Sequence, residues 1–235
     1  MNLRSARYAA ALLAVVAASA SAQVQVTVTG VNAPGMTSTI WDPPGSTDGA
    51  LYVSPYAGTI VGSGQGLVLN CVDFFHNVTI GQTYSANLTQ LAGGDLSNTR
   101  FNNLEWYLQA AWLTQQYNSP DPGSNDNRRI AIQAAIWNIF TPAAPDRDIT
   151  GTTNDSEYWI NQARLASNWT SINISQFYVL TPTNMSSASS SQEFLVYNPS
   201  AVPEPATLTL LGTGMAGLAA AARRRKKKQL QATTV

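Results

Sequence analysis

Lysine is absent from the central part of this chain, and charged residues of either sign are scarce. Only 11% of the 235 residues are charged, less than half the usual share for a soluble domain. Residues 23–201 hold no lysine, five arginines and twelve acidic residues, a formal charge of −7. Without a basic face the chain is poorly suited to bind nucleic acid. The missing lysines also exclude Lys–Asn isopeptide cross-links within these residues.

Cysteine and histidine occur once each, as Cys71 and His76. A single cysteine cannot form an internal disulfide, and one Cys with one His argues against a zinc site. No Gly-rich phosphate loop stands between a predicted strand and a predicted helix. We therefore predict no metal, no cofactor and no catalytic residues of a turnover enzyme. Asp146 and Asp148, two residues apart, leave a calcium-binding loop as the alternative to an ordinary loop.

The first 22 residues have the features of a secretory signal peptide. Arg4 and Arg7 give a basic start, an apolar run follows over 8–18, and small residues precede a cut after Ala22. The apolar run is too short to span a bilayer stably. We predict an exported protein whose mature chain begins at Gln23, with a buried N-terminal helix as the alternative.

The C-terminus carries a second targeting segment, because residues 202–228 combine a short motif, an apolar stretch and a basic block. The seventeen uncharged residues 206–222 predict a single transmembrane helix, and a basic surface helix is the alternative. The basic block would keep residues 229–235 in the cytoplasm as a tail. The motif is Val202, Pro203, Glu204 and Pro205, and the basic cluster is Arg223, Arg224, Arg225, Lys226, Lys227 and Lys228.

This C-terminal segment resembles the PEP-CTERM sorting signal of Gram-negative bacteria. The resemblance implies that an exosortase is a partner and processes the exported protein. It also implies transient anchoring in the inner membrane through the C-terminal helix, followed by release to the cell surface or the extracellular matrix. Such a signal determines where the protein goes and leaves its role to the rest of the chain.

Between the two ends, the hydrophobic period changes from strand to helix and back to strand. Strands are predicted at 24–29, 67–75, 77–80, 83–88, 176–180 and 192–197, and helices at 102–117, 127–140 and 156–166. This order predicts an α+β fold, a β-sandwich or barrel with an inserted helical subdomain. We place the domain at 23–184, and a terminal strand with a Ser-rich spacer at 185–201.

Gln133 stands in the middle of the second predicted helix, which is apolar nearly all round and therefore buried. A buried carboxamide without partners costs about 1–3 kcal/mol. Hydrogen bonds to nearby backbone are one solution, and Cys71 is then a small buried hydrophobic residue. In the other solution, the Cys71 thiolate attacks the Gln133 carbonyl and expels ammonia. The resulting internal thioester removes the free thiol and the buried amide together.

The sequence Cys71-Val72-Asp73, followed 62 residues later by Gln133-Ala134-Ala135-Ile136-Trp137, resembles the thioester domain of bacterial surface adhesins. In that family the Cys precedes an apolar residue and often Asp, and it pairs with the Gln of a Thr-Gln-x-Ala-Ile/Val-Trp helix. This chain has Ile132 where Thr is common. It has Asn70 where the family usually places an aromatic residue or Leu. The resemblance covers residues 66–140 and implies a Cys71–Gln133 thioester.

Three further residues near these motifs are candidate supporting residues, Asp73, His76 and Trp137. If the strand continues beyond Cys71, the odd spacing places His76 on the opposite face of that strand. That geometry argues against a Cys–His protease pair. In the thioester interpretation His76 is a candidate for assisting proton transfer, and a surface residue without a role is the alternative.

Together these patterns predict a surface or matrix protein that covalently captures a partner bearing an amine or a hydroxyl. Gln133 supplies the acyl group and Cys71 is the leaving group, so each molecule acts once. The absence of lysine is consistent with this chemistry, because no internal ε-amine competes for the acyl group, although an acidic composition bias explains it equally well. The alternative is a non-covalent structural or carbohydrate-binding matrix protein with the same fold and a free Cys71.

Overall fold

The computed structural model describes residues 22–31, 40–43, 50–53, 55–118, 126–148, 152–185 and 191–197, together with 214, 215 and 217. The predicted signal peptide lies outside the described residues except for Ala22. The sorting motif and the basic cluster lie outside them as well.

Six strands form a closed antiparallel barrel in the order β1-β4-β5-β8-β7-β6. A separate two-stranded ladder joins β2 and β3. The strands are β1 (Ala22–Gly30), β2 (Ile40–Trp41), β3 (Leu51–Tyr52), β4 (Tyr56–Ile60), β5 (Gly66–Cys71), β6 (Thr83–Gln90), β7 (Phe177–Pro182) and β8 (Phe194–Tyr197). Closure pairs every barrel strand on both sides, so no edge is left open. Of the two predicted architectures the structure has the barrel.

The order of strands, helices and strands follows the sequence pattern, because four helices of the described residues lie between β6 and β7. They are α1 (Leu104–Asn118), α2 (Asp126–Phe140), α3 (Ser156–Arg164) and α4 (Ala166–Trp169). Asp155 caps α3 by accepting a hydrogen bond from the backbone N–H of Glu157 at 3.0 Å. The helical subdomain is therefore an insertion into the barrel, and the fold is α+β.

One predicted strand is too long, and another does not form. The strand expected over 67–75 ends at Cys71, and the residues predicted as a strand at 77–80 are loop. The β-branched and aromatic side chains in this stretch favour strand locally. Tertiary contacts prevail instead: Asp73 Oδ1 accepts the Phe75 N–H at 3.2 Å, which closes a turn. The alternation of faces expected for His76 therefore does not apply.

Helix α2 is apolar all round because it lies between two hydrophobic cores. Ile130, Ala134 and Trp137 belong to the core that fills the barrel. Ile132 and Ile136 belong to the core shared with α1 and α3. The prediction of a buried second helix is confirmed, and its two apolar sides are explained by this sandwiched position.

No helix among the described residues is long and apolar enough to cross a membrane. Of the predicted transmembrane segment, the structure describes only residues 214, 215 and 217, which are helical. The structure therefore does not support the predicted transmembrane helix, most of which lies outside the described residues.

Candidate functional site

Cys71 ends strand β5 at the junction between the barrel and the helices. It follows Leu67 and Leu69 on the inward face of the strand and is 3% exposed. Its partner across the β5–β8 pair is Phe194. The thiol is free in this structure. Its side chain belongs to the hydrophobic core that fills the barrel.

Gln133 and Trp137 reach Cys71 from α2. They are four residues apart, which places them on one side of the helix one turn from each other. Gln133 Nε2 donates to the Cys71 carbonyl oxygen at 2.8 Å, and Trp137 Nε1 donates to Cys71 Sγ at 3.1 Å. The structure thus brings together the two residues that the motif pairs. We call Cys71, Gln133 and Trp137 the thiol–amide cluster.

Burial raises the pKa of the Cys71 thiol far above its ordinary value. The Trp137 N–H opposes this rise by donating to the sulfur, while the nearby Asp73 charge adds to it. The thiol is consequently neutral at physiological pH, and such a buried neutral thiol is inert toward external reagents. Any reaction that it undergoes must pass its proton to a group inside the site.

Asp73, His76 and Arg100 form a charged cluster directly after Cys71. Asp73 is buried, and its Oδ2 lies 2.7 Å from His76 Nδ1 and 3.0 Å from Arg100 Nε. The Arg100 Nη1 group is 2.9 Å from His76 Nε2. The contact between Asp73 Oδ2 and Arg100 Nε lies outside hydrogen-bond geometry, so opposite charges rather than an aligned hydrogen bond account for this pair.

The backbone of Asp73 contacts the thiol itself. The Cys71 S–H donates to the Asp73 carbonyl oxygen at 3.4 Å, and Gln192 Nε2 donates to the same oxygen at 2.6 Å. Gln192 leads into β8, so it joins the loop after Cys71 to the strand that pairs with Cys71. The Asp73 carbonyl is thereby fixed from two directions.

Glu193 is a fully buried acid beside this arrangement. Its carboxyl group accepts hydrogen bonds from the Tyr107 hydroxyl, from Thr181 Oγ1 at 2.6 Å and from the Arg100 backbone N–H at 2.8 Å. Burial raises its pKa, and these donors together with the Arg100 charge oppose the rise. Glu193 thus connects β7, β8, α1 and the turn that carries Arg100.

The predicted supporting residues Asp73, His76 and Trp137 all lie at this junction. Arg100 and Glu193 also lie there, and neither was predicted from the sequence. The sequence did hold a signal for Glu193, because it is a lone acid directly before the apolar run of β8. An acid at such a position must be either exposed or paired with another group. Nothing in the local sequence distinguishes Arg100 from the other arginines of the body.

A groove of about 550 Å³ opens between α1, α2 and α3, separate from the thiol–amide cluster. Trp106 supplies its aromatic wall, and Ile139 and Ile160 supply aliphatic contacts. The polar residues that line it are Glu105, Gln109, Asn138 and Arg164. We call it the helical groove. Its volume is within the range of small-molecule binding sites.

Among the described residues, no three His, Cys, Asp or Glu side chains are placed to hold a metal ion. Asp146 Oδ1 accepts a hydrogen bond from the Ser156 hydroxyl at 3.0 Å, and Asp148 is exposed.

Comparison with known proteins bears on the C-terminus. Residues 201–226 match the PEP-CTERM protein-sorting motif. The chain carries an exosortase sorting signal. The PEP-CTERM signal supports export, processing by an exosortase and sorting to the cell surface. The chain matches no curated protein and no solved structure.

Proposed function

We propose that this PEP-CTERM protein captures a surface or matrix partner through an internal thioester between Cys71 and Gln133. The observation that carries the proposal is the contact between the two residues, in which Gln133 Nε2 donates to the backbone carbonyl oxygen of Cys71 at 2.8 Å. They are 62 positions apart and lie on different elements, a strand and an inserted helix. Contact between Cys71 and Gln133 in the folded chain supports the resemblance, which by itself rests on two short motifs.

Bond formation balances without a co-reactant. Cys71 Sγ attacks the carboxamide carbon of Gln133, and a carbon–sulfur bond forms as the carbon–nitrogen bond breaks. The thiol proton leaves with the nitrogen as part of ammonia. Neither residue is oxidised or reduced. Burial of both side chains supports the reaction, because water is excluded from the acyl group once it has formed.

Capture is the reverse substitution with another nucleophile. An amine or hydroxyl of the partner attacks the Gln133 carbonyl, an amide or ester forms, and Cys71 leaves as a thiol. The acyl group is consumed, so the protein is a single-use reagent and not a turnover enzyme. The lack of lysine in residues 23–201 leaves the acyl group to external amines. Delivery to the cell surface of a Gram-negative bacterium would place it near such partners.

Peptide-level mass spectrometry of the full chain tests the proposal. We expect a joined peptide pair containing Cys71 and Gln133, lighter by one ammonia than the separate peptides. Cys71→Ala is the control and must lose the pair. Methylamine should add to Gln133 and free the thiol. A free Cys71 beside an unmodified Gln133 carboxamide would refute the proposal. Intact mass is unsuitable, since Gln23 becomes N-terminal in any molecules that have lost residues 1–22 and then loses ammonia on cyclisation.

The helical groove favours a second candidate function, non-covalent carbohydrate binding in an extracellular matrix. A pyranose ring presents an apolar face and a rim of hydroxyls, and Trp106 with its amide and charged neighbours matches that pattern. Calorimetry with cello- and chito-oligosaccharides tests this function. Binding that survives Cys71→Ala but not Trp106→Ala would assign the role to the groove, and absence of binding by the wild type would remove it.

A further inference from the structure

We propose that Arg100 is a positioning residue for the formation of the Cys71–Gln133 bond. Arg100 acts through Asp73, whose carbonyl oxygen accepts the Cys71 S–H. The inference rests on the proposed function, and it adds a residue that neither the motif nor the resemblance includes.

The orientation of the thiol is the property that Arg100 controls. A neutral thiol has one hydrogen and two lone pairs on sulfur. The hydrogen is donated to the Asp73 carbonyl at 3.4 Å, and one lone pair accepts the Trp137 N–H at 3.1 Å. The second lone pair takes part in neither of these contacts, and in the proposed reaction it attacks Gln133. If the Asp73 carbonyl turns away, the hydrogen is free to rotate and the sulfur loses this alignment.

Arg100 holds Asp73 by its side chain while Gln192 holds it by its backbone. The guanidinium contacts Asp73 Oδ2 at 3.0 Å, and its Nη2 donates to the Ser191 carbonyl at 3.2 Å. The loop after Cys71 is therefore tied to the segment that leads into β8. Because the side chains of Arg100 and Asp73 are 13% and 3% exposed, solvent screens this charge pair far less than a surface pair.

The turn that carries Arg100 is itself fixed. The Arg100 N–H donates to the buried Glu193 carboxyl at 2.8 Å. The Asn102 N–H donates to Thr99 Oγ1 at 3.2 Å, and Asn102 has the left-handed φ of 46°. A residue other than glycine adopts that conformation at a cost, which the surrounding hydrogen bonds offset. Arg100 thus projects from a rigid support.

An arginine suits this position better than a lysine. The guanidinium contacts Asp73 Oδ2 at 3.0 Å and also donates through Nη2 to the Ser191 carbonyl at 3.2 Å, and a lysine ammonium lacks this planar, forked set of donors. Arg100→Lys would change the charge position and the hydrogen bonds together, so the test uses removal and chemical rescue.

The experiment follows cross-link formation over time in the full chain produced by cell-free synthesis, with peptide mass spectrometry as the readout. We expect Arg100→Ala to slow formation about tenfold, and millimolar guanidinium to restore at least part of the rate. The matched control is Arg128→Ala, which removes an arginine that contacts the Gln116 carbonyl and the Trp159 ring. The control should stay within about twofold of the wild type.

Asp73→Asn provides a second route if Arg100→Ala does not fold, as judged by circular dichroism. It keeps the backbone carbonyl and removes the charge that Arg100 binds, so it should slow formation similarly. The double variant should be no slower than either single variant. Wild-type rates in both Arg100→Ala and Asp73→Asn would overturn the positioning role alone. A wild-type chain that never forms the cross-link overturns the proposed function as well.

Discussion

The thiol–amide cluster and the helical groove place polar side chains in opposite settings. In the cluster, Cys71 and Gln133 are 3% and 4% exposed, and they form hydrogen bonds within the cluster. In the groove, Glu105 and Arg164 are exposed beside the half-buried Trp106. Buried side chains in contact are placed to react with each other, whereas side chains that line an open groove can contact molecules from the solvent. The same helix, α2, contributes to both regions, through Gln133 to one and Asn138 to the other.

This difference bears on the choice between the two candidate functions. Covalent capture requires a buried pair to become reachable by a partner at the moment of attack, and the cluster supplies the pair. Non-covalent binding requires only the open groove. Variants that affect one region and spare the other separate the two functions.

The largest effect is expected for Gln133→Glu. A carboxylate cannot lose ammonia and resists attack by a thiol, so the cross-link should be abolished and methylamine should not be incorporated. Peptide mass spectrometry measures both. The control is Asn138→Asp, an amide-to-acid change five residues further along the same helix, which should leave the cross-link intact. A cross-link in the Gln133→Glu variant would contradict the assignment of the acyl residue.

The next effect is expected for Trp137→Phe, which removes the N–H that binds Cys71 Sγ and keeps an aromatic ring. Loss of one such hydrogen bond, about 1.4 kcal/mol, corresponds to about tenfold slower bond formation. Time-resolved peptide mass spectrometry checks the rate. Trp159→Phe, whose N–H donates to the Thr153 carbonyl, is the matched control. Equal rates for both variants would leave Trp137 with a packing role only.

A smaller effect is expected in the groove for Trp106→Ala. Loss of the aromatic wall, worth about 1 kcal/mol beyond its buried area, should weaken oligosaccharide binding about fivefold and leave the cross-link unchanged. Calorimetry and peptide mass spectrometry measure the two properties on one sample. A change in cross-link yield would mean that the helical groove and the thiol–amide cluster are coupled, which would contradict their separation into two independent regions.

The smallest effect concerns the pH dependence of stability. Burial raises the pKa of Glu193, so the folded state binds its proton more tightly than the unfolded state does. The contribution of Glu193 to the free energy of unfolding is therefore fully present below the ordinary glutamate pKa of about 4.3. It is lost as pH rises through the pKa of Glu193 in the folded state. Urea unfolding from about pH 4 to pH 8 should show a steeper decline for the wild type than for Glu193→Gln. Parallel curves would contradict this expectation.

Much of the fold could be predicted from hydrophobic periodicity. The second helix was predicted at 127–140 and is Asp126–Phe140, and the insertion of helices between strands is confirmed. The loop after Cys71 could not be predicted, because Phe74 and Phe75 favour strand in isolation. Phe74 instead packs edge-on against Trp137, 5.2 Å between ring centroids. That contact depends on where α2 lies, which local sequence does not encode.

The residues of the candidate site also divide into those that local sequence predicts and those that depend on tertiary contacts. Cys71 and Gln133 could be paired because each presents a local anomaly, a lone thiol in an exported chain and an amide in an apolar helix. Arg100 and Glu193 act through contacts with residues 27 and 93 positions away, Asp73 and Arg100. Such contacts between residues far apart in sequence exist only in the folded chain, so the local sequence does not distinguish Arg100 and shows for Glu193 only a lone acid before an apolar run.

The strand order of the barrel also determines when the site can exist. Strand β5, which carries Cys71, pairs with β8, the last strand of the barrel in chain order. Gln192 and Glu193 directly precede β8. A chain exported from its N-terminus delivers these two residues and β8 after the other described elements of the barrel, just ahead of the sorting signal at 201–226. Under the proposed function, a chain exported unfolded therefore completes the surroundings of Cys71 last, after the rest of the barrel has crossed the membrane.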